Sequence, residues 1–187
     1  MERTRKQILE IREQDDKEIA NWIDKNIEGE TIGDLGCGDG KIINFLRLAG
    51  RKVYGIDSKK DKLGKVPKGL EFECNDLSWD IYLPKTDIII SFEVAEHLPL
   101  DSEDIFIKNL VKPDPKTIVM SVATLGQEAD SHFNIKPRRM WIDKIEEKGY
   151  NENEALEYRF KKELDTKIMI KSWISWNIMI FNKINNK

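Results

Sequence analysis

Residues 31–40 read Thr-Ile-Gly-Asp-Leu-Gly-Cys-Gly-Asp-Gly, and they carry the strongest signal for the fold class. A short apolar run ends at Asp34, three glycines follow at alternate positions, and a helical pattern then covers 40–49. The glycines are Gly36, Gly38 and Gly40. Glycine lets the backbone approach a ligand closely and reach φ values that other residues avoid. The stretch therefore predicts a strand, a glycine turn and a helix, the arrangement with which α/β proteins hold a nucleotide-like cofactor.

The spacing of the glycines excludes two common phosphate-binding loops. A dinucleotide fold needs G-x-G-x-x-G, and here Lys41 occupies the third glycine position. A phosphate loop ends in Gly-Lys-Ser/Thr, whereas Ile42 follows Lys41. The pattern D-x-G-x-G-x-G instead resembles motif I of the class I S-adenosylmethionine-dependent methyltransferases. The resemblance implies S-adenosyl-L-methionine as the cofactor and contacts to it from the turn, namely from Asp34, Gly36, Cys37, Gly38 and Gly40.

The bulk composition is that of one globular domain. The chain has 187 residues, of which 40% are hydrophobic and 35% charged, and its net charge of −3 does not demand a nucleic-acid partner. We therefore expect a single methyltransferase domain over 1–187, with an N-terminal helix within 1–27 packed on it. No apolar run approaches the roughly 20 residues that span a bilayer, so no membrane partner is expected. Two cysteines without a CxxC pair favour a reducing, cytoplasmic location.

Hydrophobic periodicity predicts strands that alternate with helices. Strands are predicted at 31–35, 52–57, 70–74, 87–92 and 116–122, and helices at 40–49, 101–111 and 137–148. The segment 58–69 is lysine-rich and contains Gly64 and Pro67, so it allows only a short helix. Alternating apolar residues at 156–160 and 174–180 predict two closing strands. The expected fold is α/β: a Rossmann-like, mostly parallel seven-stranded sheet with helices on both faces and a C-terminal antiparallel hairpin.

Polar residues follow the predicted strands at the edge where such sheets bind ligands. Asp57 and Ser58 follow the second strand, and a carboxylate there can accept hydrogen bonds from both ribose hydroxyls. The resemblance implies that Asp76 binds the adenine amine and that Leu77 packs on the ring. It also implies that Phe92 and Glu93, which follow the fourth strand, lie beside the methionine moiety. The sequence Ser-Phe-Glu at 91–93 replaces the Asn/Asp-Pro-Pro-Tyr/Phe of enzymes that methylate base amino nitrogens, which argues against that acceptor.

A second distinctive segment reads Glu93-Val-Ala-Glu96-His97-Leu-Pro99. It resembles the E-x-x-E-H segment of the ubiquinone-pathway-type O-methyltransferases and of the small-RNA 2′-O-methyltransferases. The resemblance implies a divalent metal site, with ligands from Glu93, Glu96, His97 and also His132, the chain's other histidine. In a second version no metal binds, and His97 or His132, with Glu96, deprotonates the acceptor. A third version is structural: the glutamate caps the turn and the histidine packs against the cofactor.

These features predict an enzyme that moves a methyl group from S-adenosylmethionine to an acceptor. A hydroxyl of a small molecule or glycan is the leading acceptor. An RNA-directed methyltransferase that uses the acidic–histidine cluster is one alternative, although the chain shows no obvious basic face. A catalytically silent, cofactor-binding regulatory module is another. The acceptor itself and the oligomeric state are not encoded in any motif, because a fold of this kind serves many substrates.

Overall fold

The computed structural model describes residues 3–58 and 66–184 of the chain. Most of the predicted short helix over 58–69, including its lysines at 59–65, lies outside the described residues. The strands are β1 (Thr31–Leu35), β2 (Lys52–Asp57), β3 (Glu71–Cys74), β4 (Ile88–Phe92), β5 (Thr117–Ser121), β6 (Tyr150–Glu152) and β7 (Ile178–Lys183). The helices are α1 (Arg5–Asn26), α2 (Lys41–Leu48), α3 (Glu103–Val111), α4 (Arg138–Glu146), α5 (Glu154–Leu164) and α6 (Ser172–Asn177).

The strands form one seven-stranded sheet in the order β3-β2-β1-β4-β5-β7-β6. The first five strands pair in parallel, and β7 pairs antiparallel with both β5 and β6. The predicted Rossmann-like sheet with an antiparallel C-terminal pair is therefore confirmed. The strand order reverses between β1 and β4, and ligands of open α/β sheets bind beyond the carboxyl ends of the strands at such a point.

Helices cover both faces of the sheet because the central strands are apolar on both sides. In β4, Ile88 and Ile90 pack in the cluster beneath α1, α2 and α5, while Ile89 packs in the cluster beneath α3 and α4. This is the two-residue alternation of a strand buried on both faces. α1 begins with a capping box at Thr4 and buries Ile23 against the first of these clusters.

The closing part of the chain differs from the sequence prediction. The predicted strand at 156–160 is wrong, because these residues belong to α5. The Asn153 side chain caps α5 by accepting a hydrogen bond from the Leu156 N–H, at 3.0 Å. Phe160 and Leu164 then bury the same face one turn apart. The predicted strand at 174–180 is right only from Ile178 onward, since its first half is α6.

The strand that pairs with β7 is therefore β6, which the periodicity did not predict. Its three residues are too few to show an alternation. β6 and β7 are antiparallel neighbours, but the connection between them, 153–177, carries α5 and α6 rather than a tight turn. Over the ranges 3–58 and 66–184, no helix combines the length and the apolar character that crossing a membrane requires.

Candidate active site

Two cavities lie side by side beyond the carboxyl ends of β1 and β4. The first, of about 410 Å³, is lined by predicted residues of the glycine turn and of the end of β4: Asp34, Gly36, Cys37, Gly38, Phe92 and Glu93. The second, of about 280 Å³, is lined by the predicted adenosine contacts Asp57, Ser58, Asp76 and Leu77, and also by His97. Gly36 and Glu93 line both cavities, so the two spaces meet at these residues.

The glycine turn is held tightly against β2. The backbone N–H groups of Gly36 and Cys37 both donate to the Ile56 carbonyl, at 2.8 and 3.0 Å. Gly36 has φ 86°, and a Cβ built on it would lie 2.2 Å from a γ-methyl of Val94. Glycine is therefore required by the backbone angle and by the neighbour at once.

The other two glycines of the turn have different surroundings. Gly38 has φ 62°, and its N–H donates to a carboxylate oxygen of Asp57 at 2.9 Å, which fixes that acid beside the turn. Gly40 has φ 73° and precedes the first residue of α2. A Cβ on Gly40 would approach Leu70, and this glycine lines neither cavity.

Asp34, at the end of β1, is a buried acid at the floor of the first cavity. Burial and the neighbouring Asp57 carboxylate raise the pKa of Asp34 to about 8. A buried carboxyl group of this kind favours a cationic ligand, because the positive charge of the ligand would stabilise the ionised carboxylate.

In the second cavity, the Asp76 carboxylate accepts hydrogen bonds from the backbone N–H and the hydroxyl of Ser78, at 2.9 and 2.8 Å. Leu77 is buried, and its carbonyl accepts a hydrogen bond from Asn109 at 3.2 Å. The loop after β3 is thus fixed by the Asp76 and Ser78 side chains and by Asn109 of α3.

Glu93 occupies a strained position directly after β4. It has φ 54°, which is uncommon for a residue with a side chain and is typical of functional sites. The Asn177 side chain donates to both carboxylate oxygens, at 3.3 and 3.4 Å. Burial raises the pKa of Glu93. No sequence pattern predicts Asn177 as a site residue, because its contact with Glu93 joins two segments far apart in the chain.

The residues Glu96, His97 and His132 converge next to these cavities. A single 3₁₀ turn, Ala95–His97, follows β4 and presents the first two, and the loop after β5 brings the third. One potential ligand atom from each of the three lies within 4.8 Å of the others, and the imidazole centroids are 4.9 Å apart. Glu93 lies outside this group of three.

The hydrogen bonds of the two imidazoles fix their tautomers. His97 Nδ1 lies 2.8 Å from the Ser131 carbonyl oxygen, and His132 Nδ1 lies 2.6 Å from the Gln127 carbonyl oxygen. A carbonyl can only accept, so each Nδ1 carries the proton. In the neutral form, each Nε2 then keeps a lone pair that can take a proton or bind a metal.

Glu96 is fully buried, and neither of its carboxylate oxygens makes a well-formed hydrogen bond to another described residue. Burial and the Glu93 carboxylate raise the pKa of Glu96 to about 8. Asn134 donates its backbone N–H to the Glu96 carbonyl at 3.0 Å, and both polar atoms of its own side chain are buried without partners among the described residues. Buried polar groups in native proteins are normally satisfied, so these atoms are available to water, an ion or a ligand.

A family model described as "Methyltransferase domain" matches residues 9–159. The chain belongs to the methyltransferase domain family. This membership confirms the resemblance to the class I S-adenosylmethionine-dependent methyltransferases. The ubiquinone biosynthesis O-methyltransferase of Stutzerimonas stutzeri (strain A1501) is 26% identical over 134 residues, which cover 64% of this chain and 52% of that relative. The chain spans about half the length of the curated relatives it matches.

Solved structures of methyltransferases share the fold of this chain. The magnesium protoporphyrin IX methyltransferase of Synechocystis PCC 6803 with bound SAM aligns with a TM-score of 0.62 and 21% identity, covering 82% of this chain and 77% of that one. The O-methyltransferase from a trans-AT PKS multienzyme of Brevibacillus brevis, in complex with S-adenosyl-L-homocysteine, aligns with a TM-score of 0.63 and 14% identity, covering 94% and 74%. At these identities the two structures show the fold alone.

Proposed function

We propose that this methyltransferase moves a methyl group from S-adenosylmethionine to a hydroxyl of a small molecule. The observation that carries the proposal is the meeting of the two cavities at Gly36 and Glu93, beside the cluster Glu96–His97–His132. A donor in the cavities and an acceptor at the cluster would then lie next to each other. The relative named ubiquinone biosynthesis O-methyltransferase supports a hydroxyl acceptor.

The two cavities suit the two halves of the donor. The adenosine half would lie in the second cavity, with Asp57 on the ribose, Asp76 on the adenine and Leu77 against the ring. The methionine half would lie in the first cavity, where the acid Asp34 suits a cationic group. The sulfonium supplies an already activated methyl group, so the protein has to align the acceptor, exclude water and remove the hydroxyl proton.

We further propose that Glu96, His97 and His132 hold a divalent metal that binds the acceptor oxygen. The fit rests on the donor set: two imidazoles with Nε2 lone pairs, and a buried carboxylate without good partners. Two nitrogens and one oxygen suit Zn²⁺ or Mn²⁺ better than Mg²⁺, which prefers oxygen ligands alone. Such an ion lowers the pKa of a bound hydroxyl, while Glu93 stands nearby as a further carboxylate.

The loop 123–136 borders the acceptor side and supports a small, weakly charged acceptor over RNA. Leu125 and Phe133 are exposed there, as are the acids Glu128 and Asp130. An acidic rim opposes a polyanion, since RNA binding relies on Lys and Arg contacts to phosphate. A cytoplasmic location and a glycan acceptor stay predictions from the sequence.

Histidine NMR tests the metal directly, because His97 and His132 are the chain's only histidines. In untagged protein, stoichiometric Zn²⁺ should shift or broaden the ring signals of both residues, and His132→Ala should abolish the change at His97. Methyl transfer should stop with EDTA and return with Mn²⁺ or Zn²⁺. Unchanged ring signals and EDTA-resistant activity would overturn the metal and leave a histidine as the base. Failure of S-adenosylhomocysteine to bind at millimolar concentration would overturn the donor assignment itself.

A further inference from the structure

The wall of the first cavity opposite the glycine turn comes from a distant part of the chain. It is formed by the segment 169–174, which ends the connection from α5 to α6 and begins α6. Lys171, Trp173 and Ile174 line the cavity from this side, and Asp16 of α1 lines it beside them. The motif residues of β1 and β4 form only the other half of the space.

Buried Asp15 fixes the backbone of this wall. Its carboxylate accepts hydrogen bonds from three successive N–H groups, those of Met169, Ile170 and Lys171, at 2.9, 2.8 and 2.8 Å. Asp15 is 1% exposed, so α1 holds these three residues in one conformation. Groups that are fixed in advance bind a ligand at a smaller entropic cost.

The Lys171 side chain is directed into the cavity by a buried acid. Its ammonium forms an ion pair with Asp16, whose carboxylate is almost fully buried. Burial raises the pKa of Asp16 even though the Lys171 charge opposes this. Lys171 also lies close enough to Asp34 for its charge to lower the pKa of that carboxyl.

The cavity therefore presents acids on its floor and a lysine at its wall. Its acids are Asp16, Asp34, Asp39 and Glu93, and its cations are Lys41 and Lys171. Lys41 pairs only loosely with the more exposed Glu13 and Asp39, at 3.7 and 3.9 Å. An amino-acid group carries an ammonium and a carboxylate. The ammonium of the ligand suits the acids of the cavity. Its carboxylate needs a cation, and Lys171 is the cation that the fold holds in place.

Building on the proposed function, we propose that the Lys171 ammonium binds the carboxylate of the donor's methionine moiety. Lys171 would then be shared between that carboxylate and Asp16. Asp15 and Asp16 act as positioning residues, the first through the backbone and the second through the ammonium. The cavity thereby selects donors that carry a complete amino-acid end.

The test compares S-adenosylmethionine with decarboxylated S-adenosylmethionine, which keeps the sulfonium and the amine and lacks only the carboxylate. Calorimetry on the wild-type protein should show a preference of about 10- to 100-fold for S-adenosylmethionine, the effect of one charge-assisted hydrogen bond. Lys171→Met should reduce the preference to less than about 3-fold. The matched variant Lys41→Met removes a lysine from the same cavity and should keep it.

A second variant guards against misfolding. Lys171→Met leaves Asp16 buried without its partner, so the double variant Asp16→Asn/Lys171→Met removes both members of the ion pair. It should bind decarboxylated S-adenosylmethionine like the wild type and show no preference. A preference that survives in both Lys171 variants, or that is absent from the wild type, overturns the assignment of Lys171. If the wild type binds neither ligand, the proposed function fails first, and the Lys171 assignment fails with it.

Discussion

Gly36→Ala should destabilise the protein for two separable reasons. Alanine at φ 86° is strained by about 1–2 kcal/mol. Its Cβ would also lie 2.2 Å from one γ-methyl of Val94 and 3.0 Å from the other, and overpacking of this kind costs about 1–3 kcal/mol. The free energy of unfolding should therefore fall by about 2–5 kcal/mol, a large share of the roughly 5–15 kcal/mol typical of a domain.

Gly149 provides a matched control for the part of the destabilisation that comes from backbone strain. Gly149 has φ 87°, and a Cβ built on it meets nothing within 4 Å. Gly149→Ala should therefore carry only the conformational cost of about 1–2 kcal/mol. The difference between the two variants measures the contact with Val94.

The stability lost to the steric contact should be regained when Val94 is replaced by a smaller residue. Val94→Ala removes both γ-methyls, so Gly36→Ala should cost about 1–3 kcal/mol less in the Val94→Ala background than in the wild type. Urea unfolding, followed by circular dichroism, gives the midpoint and slope for the wild type, the three single variants and the Gly36→Ala/Val94→Ala double variant. The reasoning is refuted if Gly36→Ala destabilises no more than Gly149→Ala, or if the two substitutions at Gly36 and Val94 prove additive.

Two further predictions concern the acids of the site. Asp57→Ala should weaken S-adenosylhomocysteine binding by about 1.5–3 kcal/mol, through lost charge-assisted hydrogen bonds, and calorimetry that finds equal affinity would contradict this role. The pKa of Asp34 is raised to about 8, so the folded state keeps a proton that the unfolded state releases near pH 4. The free energy of unfolding of the ligand-free protein should therefore fall as the pH rises from about 4 to 8, and Asp34→Asn should flatten that slope in unfolding measured across this range. Equal slopes in the two proteins would show that Asp34 ionises normally.

The first half of the fold could be predicted because its signals are local. The strand, glycine turn and helix from Thr31 to Leu48 follow one another directly, and each element begins or ends within a residue or two of its predicted bound. The segment 156–160 misled because Leu156 and Phe160 fit two periods at once. In a strand these two residues lie on the same face, because alternate residues share a face. In a helix they also lie on the same face, one turn apart. The Asn153 cap and Leu164, which extend the helical spacing, decide between the two.

The candidate site likewise contains some residues that the sequence predicts and others that it does not. The acids that follow strands, such as Asp57 and Asp76, are predictable because parallel strands end at one edge of the sheet. The contacts of Asp15 with the backbone at 169–171 and of Asn177 with Glu93 join segments that lie far apart in the chain. No periodicity or spacing encodes such a contact, so these residues could be found only in the folded structure.

The hydrogen bonds between Asp15 and the segment 169–171 also determine when the first cavity can form during synthesis. During synthesis α1 and the glycine turn leave the ribosome before Lys171 and Trp173 do, and β7, which follows them, must still enter the sheet between β5 and β6. A nascent chain that has been made only as far as α5 therefore has the complete glycine turn but lacks Lys171, Trp173 and Ile174, which line the cavity from the other side. The first cavity can therefore hold a ligand only after the segment 169–174 has been translated.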